Sequence, residues 1–223
     1  VPPIEAIELW DSVLHRLAFT ENIPMVAISG NHDSGPRLAM GHSAWETHGI
    51  HLLGHAHQGI NPISFQDAYG QLDVWALPYG EVRDMQSALN RQGVVNSDNS
   101  SYKGNDEISV VGTAECALGV DTNTYNWTIA DAYEHWSYYA KRCSKGHRSL
   151  CMAHAFVAGG AESESERPLL VGGSGQVPTT VFKDFTYTAL GHLHRPQRIG
   201  VDHIRYSGSL LTYSFDEVGY SKS

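Results

Sequence analysis

Residues 24–33 read PMVAISGNHD, an apolar run that ends in a polar turn. The run is short, contains β-branched residues and is bounded by turn residues, which is typical of a buried strand. Gly30 allows a sharp bend, and Asn31, His32 and Asp33 then follow at the carboxyl end of the strand, where open α/β sheets bind ligands. An amide, an imidazole and a carboxylate suit a metal ion and a proton-transfer group. A polar turn without a ligand is the alternative, and the triplet by itself does not separate the two.

Two more strand-like runs contain histidine at or just beyond their ends. Residues 187–190 (YTAL) precede a Gly-His-Leu-His sequence, and residues 149–156 (SLCMAHAF) contain His154. Side chains two positions apart on an extended chain point to the same side, so His192 and His194 are predicted to face one cavity. Such a cavity suits two metal ions held close together. The three sites carry N-H-D, H and H-x-H in chain order, which is a specific combination.

This succession of GNHD, H and GHxH motifs resembles the calcineurin-like metallophosphoesterases. The segments around the motifs are similar, within that superfamily, to the SbcD-type nuclease subunits. The similar segments are residues 30–38, 49–54, 153–160, 163–167, 189–197, 205–209 and 214–217. The resemblance covers most of residues 1–83 and 149–223, and it is poor from about 94 to 148.

The fold that this resemblance implies is α/β, a four-layer α-β-β-α sandwich of the metallophosphoesterase type. The succession of helices and strands along the chain also favours a layered α/β sandwich. The family's Asp-x-His and Gly-Asp-x-x-Asp motifs are absent from the sequence. We therefore expect residues 1–223 to form a partial metallophosphoesterase (nuclease) domain without its N-terminal strands or the C-terminal capping domain. An incomplete, inactive site is the alternative.

The resemblance also implies a metal centre with two divalent ions, Mn in particular. On this reading Asn31, His154 and His192 hold one ion, and His194 helps to hold the other. Neutral imidazoles and amide oxygens are suitable ligands for Mn, Fe or Zn. His55 and His57 form a second H-x-H, which we interpret as a loop without a strand leading into it and without a ligand role.

The catalytic residues implied by the resemblance are His32 and Asp33. His32 protonates or stabilises the leaving oxygen, and Asp33 orients His32 and favours its charged form. Arg37 and Arg195 are candidates for substrate binding through phosphate, with a surface or packing role as the alternative.

The implied function is Mn-dependent hydrolysis of DNA, as an exonuclease and endonuclease that processes double-strand breaks and hairpins. The implied partners are DNA, an SbcC-type ATPase subunit and a second copy of the chain. Two alternatives stay open: a metallophosphoesterase that acts on small phosphodiesters or phosphoproteins, and an inactive partner-binding scaffold. The net charge of −9 argues against a stand-alone DNA-binding module with a wide basic surface.

Cellular location is predicted from composition. No apolar run approaches the roughly 18 residues of a membrane span, so we expect no membrane association. The 3 cysteines lack metal-type spacing and do not suggest a disulfide framework. A cytoplasmic location is the expectation.

Several further elements follow from periodicity and turn residues. Helices are predicted over residues 4–17, 36–47 and 130–142, and Tyr133, Trp136 and Tyr139 form a stripe on one face of the last helix that is predicted to face the core. Strands are predicted over 50–53, 63–65, 72–77 and 108–111, with 63–65 and 72–77 forming a hairpin. Residues 96–105 and 158–176 are predicted to be loops, and Glu162, Glu164 and Glu166 in the second loop are interpreted as a solvated face.

Overall fold

The computed structural model describes residues 2–91, 127–163, 166 and 175–220. The predicted loop at 96–105 and the predicted strand at 108–111 lie outside these residues. Within them, no helix is long and apolar enough to cross a membrane.

Five helices and ten strands are formed by the described residues. The helices are α1 (Ile4–His15), α2 (Gly35–Leu38), α3 (His42–Glu46), α4 (Val82–Arg91) and α5 (Ile129–Cys143). The strands are β1 (Met25–Ile28), β2 (Ile50–Leu53), β3 (Ile63–Asp67), β4 (Gly70–Leu77), β5 (Arg148–His154), β6 (Phe156–Val157), β7 (Gln176–Val177), β8 (Tyr187–Gly191), β9 (Gln197–Ile199) and β10 (Val201–Tyr206). A π-helical segment, Arg16–Glu21, continues α1, and 3-10 turns occupy Ala56–Gly59, Thr179–Phe182 and Phe215–Glu217.

The largest sheet has six strands in the order β3-β4-β5-β8-β10-β9. Its four central strands are parallel, and β3 and β9 pair antiparallel at the two edges. The hairpin predicted at 63–65 and 72–77 is therefore confirmed. Because β5 and β8 are parallel neighbours, their carboxyl ends coincide, and His154 pairs with Gly191. This register brings the GHxH motif beside the histidine of β5.

Strands β1 and β2 form a separate parallel pair, and Ile28 lies opposite Leu53. β1 has the predicted position and ends immediately before the Ser-Gly-Asn-His-Asp turn. Met25 and Ala27 pack against a cluster that also contains Leu14 of α1. Val26 and Ile28, on the opposite face of the strand, pack against a cluster built around the large sheet.

Both faces of the large sheet are buried as well. Val74 and Ala76 belong to the cluster that contains Leu53 of β2, whereas Trp75 and Leu77 belong to the main core with α4 and α5. Alternate residues of a strand point to opposite faces, so one sheet separates these two clusters. The helices and sheets that these clusters join form layers in the order helix, two-stranded sheet, six-stranded sheet, helix. The mixed α/β class expected from the sequence is confirmed.

Helix α5 follows the aromatic pattern in the sequence. Tyr133, Trp136 and Tyr139 are buried in the main core, and the ring of Trp136 lies edge-on to Trp75 at a centroid distance of 6.5 Å. Thr128 begins the helix as the first member of a capping box, which satisfies backbone donors of the first turn. The prediction of a core-facing aromatic stripe is confirmed.

The single helix predicted over residues 36–47 is wrong. The chain forms two short helices there, α2 and α3, separated by residues 39–41. Gly41 has φ +74°, a left-handed conformation that glycine adopts without steric cost and that ends a helix. The first of the two helices begins at Gly35, two residues after the polar turn of residues 31–33.

Candidate metal centre

The carboxyl ends of β1 and β5 bring an amide and an imidazole together. Oδ1 of Asn31 lies 2.9 Å from Nε2 of His154. The ring of His192, just beyond β8, is edge-on to the ring of His154 at a centroid distance of 5.5 Å. The structure therefore gathers Asn31, His154 and His192, the three residues that the family resemblance assigns to one ion.

Two glycines make room for the ring of His154. A Cβ atom on Gly30 would lie 2.7 Å from Cε1 of this ring, and one on Gly191 would lie 3.0 Å from its Nδ1. Both distances are shorter than the 3.4–4 Å of ordinary van der Waals contact. The glycines of the GNHD and GHxH motifs thus form a slot for the histidine of the third motif. The sequence indicated bends at these glycines but not the slot.

Two histidines of the centre, His154 and His192, have lowered pKa values, which favours the neutral form that binds metal. The pKa of His154 is lowered to about 4, mainly by burial and in part by the charges of nearby His192 and His32. Burial is also the main cause of the lowered pKa of His192. A neutral imidazole keeps a lone pair for a cation at physiological pH.

The charge of His32 lowers the pKa of both His154 and His192, which indicates that His32 lies near these two histidines. The residue itself is exposed. Asp33 is placed differently from the expectation. Its Oδ2 accepts a hydrogen bond of 2.8 Å from the backbone N–H of Gly30 and so closes the turn. Among the described residues no hydrogen bond joins Asp33 to His32, and the orienting role of Asp33 stays a prediction.

The GHxH motif does not continue β8 as an extended strand. β8 ends at Gly191, and His192 has φ +111°, so the alternation rule does not set the directions of the two histidines. The charge of His194 still contributes to the lowered pKa of His192. Nδ1 of His194 lies 2.8 Å from Oε1 of Glu217, whose side chain is fully buried.

The interpretation of the acidic loop as a solvated face is wrong for Glu166. Its side chain is half-buried, and its Oε1 accepts a hydrogen bond of 2.5 Å from the backbone N–H of His194. Its charge also raises the pKa of His192. Glu162 is exposed as expected, and Glu164 lies outside the described residues. Residues 163–167 are among the segments that resemble the SbcD-type subunits, but the acidic composition of the loop did not separate Glu166 from its neighbours.

The two arginines proposed for phosphate contact lie on the surface. Arg37 is exposed on α2, and Arg195 is exposed beside the GHxH motif. The guanidinium carbon of Arg195 lies 5.1 Å from the ring centroid of Tyr220, in a cation–π arrangement. Their contact with phosphate stays a prediction.

Tyr79 is a neighbour of the centre that the sequence did not indicate. Its ring is edge-on to His154 at 6.0 Å, and its backbone N–H donates to the carbonyl oxygen of Ser29. Tyr79 also lines a cleft with His55 and His57, whose rings stack at 5.4 Å. β2 ends two residues before His55, so a strand does lead into this pair, contrary to our interpretation.

The residues present fit part of a metal centre. Asn31, His154 and His192 supply one amide oxygen and two neutral imidazoles, a donor set suited to Mn, Fe or Zn. Across the described ranges, no group of three or more His, Cys, Asp or Glu side chains is arranged to hold a metal ion. Asn31, His154 and His192 therefore supply part of the ligand set that the family resemblance implies.

The fold and these side chains define a mixed α/β protein with candidate metal ligands at the carboxyl ends of its strands. The chain is 35% identical over 225 residues to the SbcD subunit of the nuclease SbcCD from Bacillus subtilis (strain 168), an alignment that covers 100% of this chain and 51% of the relative. No protein-family model matches. The chain is related to the SbcD-type nuclease subunits, as its motifs predicted, and it spans about half the length of this curated relative.

Proposed function

We propose that this chain is part of the nuclease domain of an SbcD-type subunit, and that the whole protein hydrolyses phosphodiester bonds in DNA with Mn. The supporting observation is the meeting of Asn31, His154 and His192 at the strand ends, in a chain similar along its whole length to a nuclease subunit. The metallophosphoesterase-type sandwich is part of the same proposal, and the observed stacking of helices and sheets supports it.

Each residue of the centre has a proposed part in hydrolysis. Two divalent ions, when bound, would activate water and neutralise charge on the phosphate. Asn31, His154 and His192 would hold one ion, and His194 would contribute to holding the other. His32, exposed beside them, donates a proton to the leaving oxygen of the scissile bond.

The missing ligands are proposed to come from strands that pair with β1. In the described part of the chain β1 pairs only with β2, and all four of its residues are half-buried. Ile4 and Leu9 of α1 are 70% and 65% exposed. Open strand edges and exposed apolar side chains of this kind are usually covered in a complete domain.

The proposed partners are DNA, an SbcC-type ATPase subunit and a second copy of the chain. The name of the relative, the SbcD subunit of an SbcCD nuclease, supports a heteromeric assembly. The charge of −9 is compatible with DNA binding when metal ions neutralise phosphate locally or a partner supplies a basic surface.

The test is Mn-dependent hydrolysis of linear duplex DNA by the natural full-length protein. His32→Ala should bind Mn with unchanged affinity and cleave at least about 100-fold more slowly, the usual contribution of general acid catalysis. His15→Ala is the matched control, because His15 lies on α1 and contacts Phe19. Hydrolysis of a small phosphodiester without hydrolysis of DNA would reject the nuclease assignment, and the absence of Mn binding would reject the metal centre.

A further inference from the structure

Glu217 is a carboxylate in an unusual place. Its side chain is 0% exposed, although carboxylates are almost never fully buried unless they are paired. Removing such a group from water is costly unless hydrogen bonds compensate for the lost hydration. No step of the proposed hydrolysis uses Glu217.

Both carboxylate oxygens of Glu217 have partners next to the candidate metal centre. Oε1 lies 2.8 Å from Nδ1 of His194, and Oε2 accepts a hydrogen bond of 3.2 Å from the backbone N–H of Tyr213. The 3-10 turn Phe215–Glu217 holds the residue in place, and the hydroxyl of Ser214 caps its start. The carboxylate is therefore fixed at the end of a short, capped turn.

With Glu217 ionised, this contact decides which nitrogen of His194 carries the proton. An ionised carboxylate only accepts hydrogen bonds, so Nδ1 of His194 then donates to Oε1 of Glu217. In a neutral imidazole the other nitrogen, Nε2, is then unprotonated and has a lone pair. Carboxylates that hold metal-binding histidines in this way fix the tautomer and the orientation of the ring.

We infer that Glu217 is a positioning residue, which holds His194 with Nε2 ready to bind a divalent cation. The inference rests on the proposed metal centre. Glu166 supplies a second anchor, because its Oε1 accepts a hydrogen bond from the backbone N–H of His194. One carboxylate thus fixes the ring and another fixes the main chain, and each comes from a different segment.

The first measurement is the tautomer of His194, read from the ¹⁵N chemical shifts of its ring in the metal-free, full-length protein. We expect a protonated Nδ1 and an unprotonated Nε2. An unprotonated Nδ1 in neutral His194 would overturn the inference. This measurement needs no variant and no activity, so it stays decisive if a substitution at Glu217 prevents folding.

The second measurement is Mn affinity in Glu217→Gln, determined by competition with a chelator. Gln has nearly the same shape but can offer an amide donor to Nδ1 as readily as an oxygen, so the tautomer is no longer fixed. We expect affinity to fall about 10- to 100-fold, as for other second partners of metal ligands. Glu162→Gln makes the same change at an exposed site and should leave affinity unchanged.

The outcomes separate this inference from the proposed function. Wild-type affinity in a folded Glu217→Gln protein would overturn the role of Glu217 alone. Failure of the wild-type protein to bind Mn would overturn the metal centre itself, whatever the tautomer of His194.

Discussion

Substitution of Gly30 by alanine tests the slot that holds His154. A Cβ at this position would lie 2.7, 2.9 and 3.2 Å from three atoms of the His154 ring. The shortest of these distances is about 0.7 Å less than ordinary contact. The backbone of Gly191 is also close to the ring, since a Cβ there would lie 3.0 Å from its Nδ1, and this limits the room into which the ring could move.

The expected magnitude follows from this crowding. Overpacking of a filled site costs about 1–3 kcal/mol, so the free energy of unfolding of Gly30→Ala should fall by that amount. A displaced ring also carries Nε2 away from Oδ1 of Asn31, and these atoms are 2.9 Å apart in the structure. We therefore expect Mn affinity to fall by about 10-fold or more, as it does when groups that orient metal ligands are lost.

The assays are urea denaturation for stability and chelator competition for Mn affinity. Gly80→Ala is the matched control, since its Cβ would meet only the Cβ of Ala56, at 3.8 Å. Both properties should be close to wild type in the control. If Gly30→Ala also retains wild-type stability and Mn affinity, the slot is not a constraint and the reasoning is refuted.

Three further predictions concern stability. In the metal-free protein His154 gains a proton near pH 6.5 when unfolded but only near pH 4 when folded. The free energy of unfolding should therefore fall by about 3 kcal/mol as the pH is lowered from 6.5 to 4. A free energy of unfolding that does not change with pH in urea denaturation would contradict this. Tyr206→Phe should lower the free energy of unfolding by about 1–3 kcal/mol, because the buried hydroxyl donates a hydrogen bond to the carbonyl oxygen of Ala155 and accepts one from the N–H of Val157. An unchanged urea midpoint would show that the hydroxyl is dispensable. Thr128→Ala removes the cap of α5 and should lower the melting temperature through a loss of about 1 kcal/mol; no shift would contradict this.

The parts of the fold that depend on short-range pattern could be predicted. β1, β5 and β8 are apolar runs with polar or glycine residues at their ends, and the structure places them as expected. The stripe of Tyr133, Trp136 and Tyr139 predicted the buried face of α5 in the same way. Periodicity and turn residues are local signals, so no knowledge of tertiary contacts was needed.

The candidate metal centre could be predicted only in part. Asn31, His154 and His192 belong to motifs whose glycines and strands are visible in the sequence. Glu217 and Glu166 lie 23 and 28 positions from His194, the residue they contact, and no periodicity links such positions. The left-handed conformation of His192 is another feature that a strand pattern does not reveal.

The most direct test of the central claim is anomalous diffraction from crystals of the natural full-length protein grown with Mn. The account predicts an anomalous peak bounded by Oδ1 of Asn31, Nε2 of His154 and the ring of His192. The absence of a peak there at saturating Mn, with the three side chains ordered, would contradict the claim that these strand ends form a metal centre.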